Sequence, residues 1–171
     1  MGAPDELHEP FTTAVATTLR EMAGVEVTVR DASQAAGNVS PADVSAALRL
    51  DADVIGWLIL SFPPGTAAAL AGRVLAGVEG EPDEGMIRDC ASELLNVTAG
   101  QAKALLFGTP RHFTFTTPTN LTAGRPDASA GWWVVRFDSD VGEFTLHLCP
   151  PLASAGTGGA EANFAGWGVD R

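Results

Sequence analysis

Hydrophobic positions recur along this chain with two periods, and the switches between them predict its elements. Phe11, Val15, Leu19 and Met22 fall at helical spacing. They predict a helix over residues 10–22, with Pro10 in its first turn and Gly24 at its stop. Val25, Val27 and Val29 then alternate with polar residues, as a strand does, and residues 30–41 read as a polar loop. Val44, Ala46, Leu48 and Leu50 alternate again. Residues 54–62 are apolar nearly throughout, as expected of a central strand covered on both faces or partly covered by a partner. Pro63, Pro64 and Gly65 break that run, and Thr66 is placed to cap a helix reaching about Val78. The longest helix is predicted over residues 83–107, ended by Gly108 and Pro110.

Further on, Phe113 and Phe115 alternate with polar neighbours as a strand, and residues 118–130 read as a loop. Strands over 132–137 and 143–149 flank a hairpin turn at 138–142. Beyond Pro150 and Pro151 the periodicity is lost, and residues 152–171 read as a flexible Gly/Ala-rich tail. The order is helix, three strands, helix, helix, three strands. It predicts an α+β fold of repeated helix-βββ units, with a largely antiparallel sheet flanked by helices, in a single domain over residues 1–151. Residues 79–82 link the two halves without separating two cores.

Composition narrows the function classes. The chain has 171 residues, 46% of them hydrophobic, and a net charge of −11. With Lys103 as its one lysine it lacks the clustered cations that nucleic acid or an anionic membrane requires. The acidic start does not resemble a signal peptide, and a nine-residue apolar run is short of the about 20 a bilayer requires, so a cytoplasmic protein is expected. Cys90 and Cys149 are expected as buried free thiols. His8, His112 and His147 do not fall at metal-ligand spacing with them, so no metal site is expected on this chain.

The predicted long helix carries the informative pattern. Asp89, Glu93, Asn96, Gly100 and Lys103 are spaced 4, 3, 4 and 3 apart, which puts them on one stripe. Ile87, Cys90, Ala91, Leu94, Thr98, Gln101 and Leu105 fall largely on the opposite side. A solvated polar face would explain the charges. It does not explain an asparagine, whose amide competes for backbone groups, or a mid-helix glycine, which costs about 1 kcal/mol relative to alanine. Both penalties fall on the same stripe. A glycine suits close approach by another backbone, and an asparagine presents a neutral donor and acceptor at a fixed place.

The pattern Asp89-x3-Glu93-x2-Asn96-x21-Pro118 resembles the signature of the CheC/CheX/FliY phosphatases of bacterial chemotaxis. Glu9-Pro10-Phe11 is similar to the NPF opening of CheX-like chains, with Glu for the usual Asn. Residues 22–27, Leu60-Ser61-Phe62, Asn96-x3-Gly100-x-Ala102-Lys103 and Gly142-Glu143-Phe144 also look like the CheX type. The resemblance implies a CheC-like/CheX-like fold and dephosphorylation of the aspartyl-phosphate of a CheY-like receiver. Asn96 would orient the attacking water, and Glu93 would pair with the receiver's lysine. Asp89, Gly100 and Pro118 would support that surface. Mg²⁺ would belong to the receiver, with no cofactor on this chain, and a homodimer joined through sheet edges is implied.

An Asp5-x3-Glu9-x2-Thr12 echo of the motif lies on the first helix without the asparagine, so one site is expected, not two. Arg88 and Lys103 are open to two readings, pairing with receiver carboxylates or solvated charges. Trp132 and Trp133 are expected as one core residue and one surface or interface residue. The reading from a different class is a non-catalytic receiver-binding module, like the scaffold proteins of the flagellar switch.

Overall fold

The computed structural model describes residues 8–35, 41–51, 55–121 and 131–149; the 152–171 tail and Asp5 lie outside the described residues. Helix α1 (Glu9–Ala23) has Pro10 in its first turn and stops at Gly24, which adopts the left-handed conformation. Strands β1 (Val27–Ala35), β2 (Val44–Asp51) and β3 (Ile55–Phe62) follow. Then come α2 (Pro64–Val74), α3 (Glu84–Leu105), and the strands β4 (Thr114–Phe115), β5 (Thr119–Asn120), β6 (Trp132–Ser139) and β7 (Phe144–Cys149). All seven strands form one antiparallel sheet in the order β1-β6-β7-β3-β2-β4, with β5 also on β2.

The repeat of a helix and three strands is present, with the first strand of the second unit broken into β4 and β5. Both pieces pair with β2. Pro118 lies in the break, and a residue without an N–H cannot continue a ladder. The 118–130 loop is thus shortened by β5 at its start. The polar stretch after Val29 is not a loop at first, because β1 pairs with β6 as far as Ala35 opposite Trp132. A register shift between Val29 and Asp31 resets the alternation, and polar side chains suit this edge strand.

Three further expectations change. Thr66 does not cap α2. The helix starts earlier, at Pro64, where a missing N–H costs nothing. The buried Thr66 hydroxyl instead donates to the Glu143 carbonyl at 3.0 Å. At Gly142, with φ of 129°, a Cβ would run into that threonine, so the 138–142 hairpin requires glycine there. Helix α2 also ends at Val74 and leaves Val78 exposed. Trp132 and Trp133 are both buried, because neighbours in a strand point to opposite faces and both faces are covered here.

All the helices pack on one face. Phe11, Val15 and Leu19 of α1 meet Leu94, Leu95 and Ala99 of α3 and the inner faces of β2, β3, β6 and β7 in one core. A smaller cluster of Ala47, Ile59, Trp132, Val134 and Cys149 lies on the outer face. Both cysteines are free and buried, with burial pushing their thiols up to about 11 for Cys90 and about 12 for Cys149. The charge of Glu93 adds to the rise at Cys90. No helix among the described residues is long and apolar enough to cross a membrane.

Candidate functional site

Helix α3 begins where its sequence asks it to. Asp83 is the N-cap, and its carboxylate accepts from the Met86 amide at 2.8 Å. The helix ends at Leu105, slightly short of the expected 107, and Gly108 follows with a φ of 76°. Cys90, Ala91, Leu94, Leu95, Thr98, Ala99 and Ala102 are buried. Leu105, expected inside, is 52% exposed, while Ala102 and Leu106 on either side of it are the residues that enter the core. Gln101 is half-buried and donates to Glu21 of α1 at 3.2 Å.

The opposite face carries the stripe. Asp89, Glu93, Asn96 and Gly100 are exposed, and Lys103 is half-buried. Among the described residues Asp89, Glu93 and Asn96 make no hydrogen bond or ion pair. This contrasts with the other charges nearby. Arg88 is held by Glu84 at 3.2 Å and by the Asp43 carbonyl. Lys103 has its ammonium 6.0 Å from the centre of the Phe115 ring, a cation–π contact. A Cβ built on Gly100 meets nothing within 4 Å. No contact among the described residues therefore accounts for a glycine at that place.

Pro118 joins this face through two contacts on its flanks. The Ser92 hydroxyl donates to the Asn120 carboxamide oxygen at 2.9 Å, and Phe115 lies under Lys103. The segment thus runs beside α3 in the opposite direction, with Asn120 at Ser92 and Phe115 at Lys103, and Pro118 lies between these two contacts in sequence.

Ser92 and Asn120 were not legible as site neighbours, since a serine in a helix and an asparagine after a proline each have ordinary roles. Phe107 was also missed. It is 77% exposed, four residues after Lys103, in edge contact with His112.

A cavity lies elsewhere, on the outer face of the sheet. It holds about 640 Å³ between Arg30, Ser61, Arg136, Thr145 and His147. Its guanidiniums are already neutralised, Arg30 by Asp138 and Glu143, and Arg136 by Asp31. His147 is 4% exposed, and neither ring nitrogen has a partner among the described residues. Burial, with the Arg136 charge second, lowers it to about 4 and keeps the ring neutral. Among the described residues no three His, Cys, Asp or Glu side chains come together to hold a metal ion.

Comparison with known proteins bears on most of the chain. A CheX from Desulfovibrio desulfuricans is similar in structure, with a TM-score of 0.76 and 26% identity over 84% of this chain and 98% of that one. A putative chemotaxis protein from Desulfovibrio vulgaris Hildenborough gives the same TM-score of 0.76 and 26% identity, over 84% and 96%. The CheX–CheY–BeF3–Mg²⁺ complex from Borrelia burgdorferi shares the fold at a TM-score of 0.56 and 18% identity, over 82% and 95%. No curated protein matches the chain. The model of the family "Chemotaxis phosphatase CheX" matches residues 44–130, a span that holds α3, Pro118 and half the sequence. This chain therefore belongs to the chemotaxis phosphatase CheX family.

Proposed function

We propose that this protein hydrolyses the aspartyl-phosphate of a CheY-like receiver domain, using the exposed stripe of α3. The observation that carries the reading is the unpartnered pair Glu93 and Asn96, one turn apart, beside a glycine no internal contact requires. Glu93 meets the receiver's active-site lysine and fixes the helix in register. Asn96 enters beside the phosphoryl group and orients a water for in-line attack. A carboxamide accepts from that water while donating elsewhere, and it adds no charge against the nucleophile. Phosphoryl transfer asks little covalent work of the protein, so positioning and electrostatics suffice. Gly100 admits the receiver backbone, Asp89 and Pro118 support the surface, and Lys103 borders it. Mg²⁺ is supplied by the receiver. The Borrelia burgdorferi CheX, held with CheY, BeF3 and Mg²⁺, supports a receiver of this type as partner.

One site per chain fits α1. The position matching Asn96 is Thr12, whose hydroxyl is already bonded to the His8 carbonyl at 3.0 Å. A homodimer joined through a sheet edge, and a cytoplasmic location, belong to the same proposal. A monomeric mass at micromolar concentration contradicts the dimer.

The test is the lifetime of a phosphorylated CheY-like receiver from the same genome. Wild-type protein shortens it, and Asn96→Ala abolishes the effect while binding persists. A wild type that binds the receiver and leaves the lifetime unchanged favours the non-catalytic scaffold.

A further inference from the structure

We infer that the Ser92–Asn120 hydrogen bond is a latch that positions the Pro118 segment against α3 and so sets the placement of Asn96. The inference rests on the phosphatase reading and adds two residues to it. Ser92 and Asn120 are positioning residues, since neither needs to touch the phosphoryl group.

The argument comes from how the segment is anchored. Its other polar bonds all run to β2. The Thr116 amide donates to the Arg49 carbonyl at 3.0 Å, the Arg49 amide donates to the Thr116 hydroxyl at 3.0 Å, and the Leu121 amide donates to the Ser45 carbonyl at 2.9 Å. These bonds fix the segment to the sheet edge, and toward the helix it is held at its start by Phe115 under Lys103, which leaves its Pro118–Asn120 end to another contact. Among the described residues, Ser92 to Asn120 is the one hydrogen bond between this segment and α3. Pro118 itself has no N–H with which to tie the two together. Both partners are half-buried, so the bond is sheltered from competing water. It also survives a turn of the carboxamide, because a hydroxyl donates or accepts equally well.

Ser92 lies one residue before Glu93 and one turn before Asn96, on the flank where the segment runs. Pro118, two residues before Asn120, is then a rigid wall on the flank of this helix. Releasing the latch lets that wall move away and frees the asparagine side chain to sample other directions. A water-orienting amide tolerates little of this, since a displacement of about 1 Å costs as much as about 100-fold in rate.

The experiment uses the full chain with a panel of CheY-like receivers from the same genome, charged with acetyl phosphate. It reads the saturated dephosphorylation rate, and separately the Kd for the BeF3–Mg²⁺ form of the responding receiver. Ser92→Ala is expected to lower the rate about tenfold, with Kd changed less than about twofold. Its Tm does not fall, because alanine is a better helix former than serine. Ser92→Thr keeps the hydroxyl and restores the rate. The double variant Ser92→Ala with Asn120→Ala is no slower than the slower single variant, as expected of one shared bond. Wild-type activity with an unaltered Ser92→Ala rate overturns the latch alone. A rate loss matched by an equal loss of Kd or Tm overturns it too. A wild type inert on every receiver removes the phosphatase reading and the latch with it.

Discussion

Helices α1 and α3 occupy equivalent places in a repeated fold, and the difference between them is in what their polar faces have left over. Both lie on the same face of the sheet, and both send apolar residues into one core. On α1 part of the polar face is paired within the chain, although among the described residues Glu9 and the buried Thr18 hydroxyl are not. Thr12 is bonded to its own turn, Arg20 pairs with Glu26 at 2.9 Å, and Glu21 accepts from Gln101. On α3 the stripe from Asp89 to Gly100 is left unspent, although the same helix pairs its charges elsewhere, as Arg88 with Glu84 shows. Scaffold demands are therefore met equally by the two helices. What sets α3 apart is that Asp89, Glu93 and Asn96 share one exposed stripe and none has a partner among the described residues.

That comparison can be pressed at several points. The scaffold half predicts equal damage from either helix. Leu19→Ala and Leu94→Ala each delete a fully packed side chain and are expected to cost about 2–5 kcal/mol in chemical denaturation. A large cost for one and none for the other would show that the two helices do not share the core equally. The functional half predicts the reverse. Asn96→Ala is expected to slow receiver dephosphorylation by about 100-fold or more with Tm unchanged, the scale for losing one positioned polar group. Thr12→Ala on α1 leaves the rate as it was, and a slower Thr12→Ala would make α1 a second site.

Smaller effects sharpen the same contrast. Glu93→Ala is expected to weaken receiver binding about tenfold and to lower the rate, with the difference shrinking at high salt. Unaltered affinity and rate would take Glu93 out of its role. Gly100→Ala is expected to stabilise the protein by about 1 kcal/mol in a thermal melt while weakening the receiver complex. Stabilisation without any loss of binding would mean that nothing approaches α3 closely at that turn.

Much of this was legible in the residues. The periods of α1 and α3, the cap at Asp83, the stops at Gly24 and Gly108 and the 138–142 hairpin all rest on local chemistry, which short stretches of sequence carry. The continuation of β1 beyond Val29 was not legible, because an edge strand tolerates polar residues on both faces and reads as a loop. Thr66 misled for a related reason. Threonine is a good cap, but here a partner 77 residues away takes its hydroxyl. The burial of both Trp132 and Trp133 depends on cover over both faces of the sheet, which no strand pattern specifies.

By itself the sequence determined the stripe: the spacing of Asp89, Glu93, Asn96, Gly100 and Lys103 on a helix follows from 3.6 residues per turn and nothing else. It could not determine that Asp89, Glu93 and Asn96 stay without partners among the described residues, because pairing depends on what the rest of the chain brings within reach. The tertiary structure decided that, together with the place of Pro118. The segment that carries Pro118 comes to flank α3 because β4 and β5 both add to β2, where Ser92 can reach Asn120. Helical periodicity is a local property of the backbone, whereas adjacency between a helix and a broken edge strand exists only once the sheet has formed.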